Sequence, residues 1–409
     1  MRILYLSYTG LMEPLGRSQV LAYLEHLARD HQITLLTFEK PGDLADAGRA
    51  DGLLQECRRA GIDWRPHRYH HRPRAIATAW DLIVLLAAAL SAIRRARPDL
   101  VHARGYLPAF VSLALKRISG VPFVFDMRAF WPDEMITAGR LRAGSLLDRA
   151  IRNGERACLR DAHGIVVLTD AAASRLRQRY GPDVMDGRCV VIPTCVDLRR
   201  FHPALREGRR RATRIGSVGS VLSGWFQVDR LMRFLAAFAE AAPGVELYIV
   251  TRDDPEAVEH VAAGHGIDPS RLRIFRRTPE EMPAAIAELD AAAMFFAPRE
   301  SEVARCPTRM GEILACGVPI VANSAAGDVA EIITTYRVGV VADGEAPDAP
   351  KQAAETLLTL MGDGGLAERC RQAAEERFSL QTGVRSYDAI YRQVDRAVHA
   401  IATEELRLL

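Results

Sequence analysis

The sequence lacks any marked surplus of one charge. Its 54 basic and 51 acidic side chains leave a formal +3, too small an imbalance to argue for a nucleic-acid partner. It has no C-x-x-C pair, and its seven cysteines are an odd number, so neither a disulfide framework nor a zinc cage is indicated; reduced thiols in a cytosolic chain are expected. It has no internal repeat and no low-complexity tract. The opening MRILYLS goes straight into a strand, without the architecture of a signal peptide. The longest apolar stretch, Ile76 to Ile93, falls short of about 20 residues and carries Asp81, which argues against a membrane span. What is there is length: 409 residues exceed one ordinary core, so two domains of about 200 residues are expected.

The most informative stretch is Ala297 to Ser324, APRESEVARCPTRMGEILACGVPIVANS. Pro307 suits a first helical position, where its missing N–H costs nothing, and Gly317 suits the residue just past the end, which predicts a helix from Pro307 to Cys316. The 3.6-residue period puts Met310, Ile313 and Leu314 on an apolar side and Thr308, Arg309 and Glu312 on the other. VPIVA then reads as a buried parallel strand. A helix start presents unpaired N–H groups and a positive dipole end, so an anion there is held by backbone as well as by Arg309. Glu312, one turn further, can accept from a pair of sugar hydroxyls. For those two residues alone, the competing reading is a plain i,i+3 surface ion pair.

GEILACGVPIVA resembles the donor-site segment of the GT-B retaining glycosyltransferases, whose usual form is E-x7-E ending in LEAMACGVPVVA. Glu312 matches the second Glu, which in the family binds the donor ribose. The first has no counterpart, since Ala304 stands eight residues earlier, and the approach reads CPTR where a branch of the family has S-P-T-K. The resemblance extends over the chain. PLGRSQVLAYLEHLA is similar to the family's first loop and helix, RCVVIPTCVDLRRFHP to its VIPN-x-VD-x-x-F-x-P, and FSLQTGV to its terminal F-S pattern. It implies an α/β chain of two doubly wound Rossmann-like domains facing a cleft: 1–205 on the acceptor side, 206–385 binding the donor, and a last helix, 386–409, crossing back to the first domain. The linker is expected in Pro203 to Arg211.

Several other residues fall at ligand-binding places. The loop after the first strand contains Gly16, which either lets backbone approach a ligand or relieves a tight turn. His102 and Arg104 sit at the carboxyl edge of one strand; Asp126 and Arg128, with Glu134 beyond, follow the next, where open sheets bind ligands. An Asp126–Arg128 pair bracing the turn is the alternative there, and family members usually carry a His in that neighbourhood. In the second half, the loop where relatives grip the diphosphate with an Arg and a Lys carries Ser217, Gly219, Ser220 and Trp225 instead. Arg309 is therefore expected to substitute, assisted by the amides of Gly219 and Ser220, while Trp225 is either a ligand contact or a core aromatic. Thr251 ends the following strand, and RDDP at 252–255 resembles a metal-binding D-x-D only loosely.

The resemblance implies a metal-independent, cofactor-free transferase. A sugar would pass from an activated donor, a sugar nucleotide, to a hydroxyl on a glycan or a lipid-linked acceptor, as in polysaccharide or glycoconjugate synthesis. Arg309, Glu312, Asp126 and Arg128 are the residues expected at the reacting groups. Gly16, Arg104, Ser217, Gly219, Ser220, Trp225, Thr251, Pro307 and Thr308 are expected around the donor. A donor without hexose or nucleoside, phosphoribosyl diphosphate, is an alternative, with Arg104 or Arg128 on its extra phosphate. A sugar-nucleotide 2-epimerase or a non-catalytic sugar-binding relative are alternatives of other classes. Finally, the basic runs HRYHHRPR and RRAR flank the apolar stretch 76–93. It reads first as a domain helix buried on several sides, and alternatively as a helix that touches an anionic membrane surface at the cytoplasmic face.

Overall fold

The computed structural model describes residues 1–185, 187–206 and 213–408. The chain forms two compact units. One comprises Met1–Leu168, Ala173–Ile192 and the chain from Gln381 onward; the other comprises Thr169–Ala172 and Pro193–Leu380.

The first unit is built on a seven-stranded sheet of order β3-β2-β1-β4-β5-β6-β7. Its strands are β1 (Arg2–Ser7), β2 (Gln32–Glu39), β3 (Ile62–Arg68), β4 (Leu100–Arg104), β5 (Phe123–Asp126), β6 (Gly164–Val167) and β7 (Cys189–Val191). All pairings are parallel. The central strands read as near-continuous apolar runs because parallel sheets are covered by helices on both faces; every residue of β4, β5 and β6 is buried. β3 escapes sequence reading because IDWRPHR carries charges and a proline. It is the edge strand, where a missing N–H and one wet face are tolerated. The chain reverses direction across the sheet between β1 and β4, in register Tyr5 to His102 and Ser7 to Arg104, and this reversal is where doubly wound sheets place ligands.

The second unit has a six-stranded parallel sheet of order β10-β9-β8-β11-β12-β13, with β8 (Arg214–Val218), β9 (Glu246–Val250), β10 (Leu272–Phe275), β11 (Ala291–Met294), β12 (Ile320–Ala322) and β13 (Gly339–Val341). Alternate residues sort to opposite faces, as the period of two demands. Ala292 and Met294 join one core with Ile313, Leu314 and Phe378, while Ala291 and Ala293 join the other with Leu231, Leu235 and Phe238.

The expected boundary near 205 lies further along than the observed one at Ile192/Pro193. Contacts explain the shift: the Val196 N–H donates to the Phe378 carbonyl at 2.8 Å, the Thr194 hydroxyl donates to the Cys306 carbonyl at 3.0 Å, and Phe201 enters the second core. Residues 207–211 of the expected linker lie outside the described residues. Among the described residues the seven cysteines form no disulfide, and burial pushes the thiols of Cys57, Cys158, Cys316 and Cys370 up to about 12, which leaves those four unreactive at neutral pH.

The apolar stretch is a 23-residue helix, Arg74–Ala96, so the reading of a run too short to span is corrected. Among the described residues it is long and apolar enough to cross a membrane by length and composition. Burial on several sides is corrected too: Ala77, Asp81, Leu85, Ala89 and Ala92 face the protein, whereas Ile76, Trp80 and Ile83 are 69, 54 and 60 % exposed.

Candidate functional site

In the first unit, the carboxyl ends of β4 and β5 bring His102, Arg104 and Asp126 together. Asp126 is fully buried. Its Oδ2 meets His102 Nε2 at 3.3 Å and accepts from Arg104 at 3.4 Å and from the Tyr387 hydroxyl at 3.1 Å, while its Oδ1 accepts from Arg128 at 3.4 Å. Tyr391 lies 2.7 Å from His102 Nδ1, and Tyr5 stacks on the same imidazole at 4.1 Å. Burial by itself would raise the Asp126 carboxyl. Arg128, the His102 hydrogen bond and Arg104 overcome that and hold it far below the usual carboxylate range. Burial also lowers His102 below its ordinary value, against the pull of Asp126.

This cluster braces the sheet against the final helix, Leu380–Leu408, which supplies Tyr387 and Tyr391. The pairing of Asp126 with Arg128 is thus present, and both charges are spent on it. Arg104 and Arg128, expected on an extra phosphate, retain side-chain exposures of 7 and 14 % and are tied to Asp126. A histidine does stand in this neighbourhood, His102, delivered by the adjacent strand. Sequence placed His102 and Arg104 at the edge; it could not show that Tyr387 and Tyr391, some 260–290 residues later, complete the set.

Gly16 serves close packing. A Cβ there would lie 1.9 Å from the Gly10 carbonyl oxygen. The loop amides of Leu11 and Met12 donate to the buried Glu39 carboxylate at 2.8 and 3.0 Å, so an internal anion already occupies them. Of the two readings of Gly16, these contacts support relief of a tight turn.

In the second unit, direction reverses between β8 and β11. The loops that leave these two strands run together: Phe226 pairs with Phe296, and the Ala297 N–H donates to the Trp225 carbonyl at 2.9 Å. Ser217 and Thr251 are buried at the ends of β8 and β9. Of the two amides expected at the donor, that of Gly219 is employed within the fold. The Gly219 N–H donates to the Val250 carbonyl at 2.9 Å, and Gly219 adopts φ +122°, open to glycine alone at no steric cost. Asp253 accepts from the Ser220 hydroxyl at 2.6 Å and from the amides of Val221 and Leu222 at 2.7 and 3.0 Å. Burial opposes its charge, but these bonds outweigh it and lower the carboxyl below the usual range. The loose D-x-D thus contributes a loop brace that sequence did not anticipate.

Trp225 is not a core aromatic. It is 45 % exposed, and Arg305 lies over its ring at 5.2 Å. Arg305 is held by Glu302, a buried carboxylate in the 3-10 turn Glu300–Ala304. The helix that follows spans Thr308–Ala315, with Pro307 as its cap rather than its first residue; the cap keeps extended backbone, which proline accepts as readily. Gly317 takes the left-handed conformation just past the end, at φ +72°.

Thr308 and Arg309 are half-buried at the helix start. Arg309 donates to Glu312 in the i,i+3 pair. The polar face is not the solvent face: Glu312 is only 8 % exposed, because this short helix is enclosed and Gly311 packs on the Phe378 ring. Burial raises the Glu312 carboxyl above its ordinary value, with Arg309 opposing. The structure therefore gathers Trp225, Arg305, Pro307, Thr308, Arg309 and Glu312 on neighbouring segments of one unit. Asp126, Arg128 and Arg104 form their own cluster in the other.

The sequence matches the family model for Glycosyltransferase Family 4 over residues 18–200 and that for Glycosyl transferases group 1 over residues 212–363. No protein in the curated comparison set matches it. Among solved structures, sucrose-phosphate synthase from Thermosynechococcus elongatus is similar at TM-score 0.71 and 15 % identity, covering 97 % of this chain and 100 % of that one. Anabaena HepE in complex with UDP is similar at TM-score 0.71 and 18 % identity, covering 96 and 100 %. WaaG, a glycosyltransferase involved in lipopolysaccharide biosynthesis, is similar at TM-score 0.64 and 16 % identity, covering 95 and 99 %.

Proposed function

Because the chain belongs to the GT-B glycosyltransferases of the family-4 type, we propose that it transfers a sugar from a nucleoside-diphosphate sugar to a hydroxyl acceptor, with Glu312 and Arg309 holding the donor. The observation that carries this reading is the buried, burial-raised Glu312 carboxylate paired with Arg309 at the start of the helix Thr308–Ala315. A carboxylate kept at 8 % exposure is costly unless a partner uses it. Its second oxygen can accept from a ribose diol while Arg309 donates a further N–H to phosphate. HepE is described with UDP and with UDP-glucose, which supports a uridine diphosphate sugar as the first donor to try.

In the reaction, the anomeric C–O bond to the diphosphate breaks and a new C–O bond to the acceptor oxygen forms. The acceptor's proton ends on the departing phosphate, so no protein base is assigned, and the family implies retention without an essential metal. Negative charge grows on the leaving phosphate, and Arg309 with the helix start binds that state better than the ground state. Trp225, steadied by Arg305, offers an aromatic face beside the same segment.

The test is calorimetry with UDP, ADP and GDP, followed by turnover of the matching sugar nucleotides with and without EDTA. Binding of one nucleotide and EDTA-resistant transfer are expected. Arg309→Ala should lower kcat more than it raises KM, and Arg309→Lys should restore part of the loss. Equal activity of wild type and Arg309→Ala at low and saturating donor would place the phosphate elsewhere.

A further inference from the structure

The helix Arg74–Ala96 presents a surface that the transferase reading does not use. Its inward stripe, Ala77, Asp81, Leu85, Ala89 and Ala92, is buried against β1, β2 and the neighbouring helix Tyr106–Ser119. The opposite stripe follows the same 3.6-residue period through Ile76, Trp80, Ile83 and Ala87, all exposed. Only 28 % of its most apolar stretch is buried. Water-facing stripes of soluble helices are ordinarily polar, so four exposed apolar positions in succession without a charge need a partner.

The charges stand at the two ends. Arg68, His71, Arg72 and Arg74 precede the stripe, and Arg94, Arg95 and Arg97 follow it, all exposed. The adjacent helix ends likewise in Lys116, Arg117 and Ile118, the last 63 % exposed. The only acidic residue within the helix, Asp81, is fully buried; it accepts from the Tyr8 hydroxyl at 2.8 Å and the His70 amide at 3.1 Å and meets the His70 ring at 2.6 Å. The outward face is therefore apolar in the middle, cationic at both ends and free of anions, with a tryptophan toward its amino end.

We propose that this face docks in plane on an anionic lipid surface. An interfacial helix asks for this pattern: apolar side chains enter the acyl boundary, tryptophan sits at headgroup level, and arginines reach the phosphates. Spanning is excluded by the buried stripe, since turning the helix into the bilayer would strip the sheet of its cover and carry Asp81 with its partners into hydrocarbon. A second copy of the chain fits less well, because pairing two such faces brings arginine against arginine.

The experiment is flotation of the full-length protein with vesicles of phosphatidylcholine alone or with about one-third phosphatidylglycerol, at low and high salt. Binding to the anionic vesicles only, weakened by salt over the Debye range, is expected. Trp80→Glu with Ile83→Glu, both on the exposed face, should abolish binding with an unchanged melting profile. Arg94→Glu with Arg95→Glu should weaken it more than tenfold, at about fivefold for each basic charge lost. Binding by the wild type that ignores both pairs of substitutions would overturn the proposal. So would absence of binding at low salt, and so would conversion of a dimer to a monomer by Trp80→Glu with no change in flotation, which would give the face to a second copy.

Discussion

Two demands oppose each other at Glu312. Burial raises its carboxyl, with Arg309 pulling the other way, so the ionised group that would grip a ribose is a burden on the fold. For an acid raised above its unfolded value, the associated stability is present below the unfolded pKa and is lost as pH climbs through the folded one. Glu312→Gln should therefore hold or raise the melting temperature at pH 7, while weakening donor binding by about 1.5–3 kcal/mol in calorimetry. Wild-type donor affinity should fall on acidification at a higher pH than an ordinary glutamate would dictate. Asp126 is the reverse case, buried yet held low by Arg128, His102 and Arg104; its stability is present above the unfolded pKa and lost only as pH falls through the depressed one. Asp126→Asn leaves two arginines buried without their counter-charge. It should cost about 3–5 kcal/mol and lower the melting temperature of the unit that contains it by on the order of 10 °C in calorimetry. Near-wild-type stability of that variant would mean that the cluster is not the brace described.

Loops at the strand ends are held by carboxylates inside the protein. Glu39 fills the amides after β1 and Asp253 fills those after β8, in the places where doubly wound folds ordinarily put phosphate. Asp253→Ala should loosen the 220–222 turn by about 1–3 kcal/mol. Amide exchange at Val221 and Leu222 should accelerate with little change in the global transition, a local effect that distinguishes a loop brace from a core residue. Sequence gave no sign of this, because an aspartate in RDDP before Pro255 reads equally as a turn residue. The helix Thr308–Ala315 was legible in Pro307 and Gly317, whose backbone limits are local. Its burial was not, because the period of the helix shows which residues share a face and says nothing of how many faces are covered. The same gap inverted the reading of Arg74–Ala96, apolar all round in sequence and packed on one side only.

On the scale of the molecule, the first unit carries three histidines that burial lowers: His67, His102 and His163, the last pushed down to about 4. Each is neutral in the folded protein over a range where the unfolded chain would bind a proton, so stability rises with pH there and is lost as pH falls from about 6.5 toward 4. The transition assigned to this unit should drop across that window, and His163→Asn should flatten part of the slope. A transition insensitive to pH over that range would show the histidines to be solvated. The two Rossmann-like units themselves were written in the sequence, since apolar strands, glycine turns and amphipathic helices alternate with periods that local chemistry imposes. Only tertiary structure decided what those residues touch. Asp126 became a brace because Tyr387 arrives from 261 residues away, and Trp225 became a surface platform because Arg305 lies over it. Burial and pairing depend on contacts between elements distant in the chain, and these fix whether a charged side chain is spent inside the protein or left for a ligand.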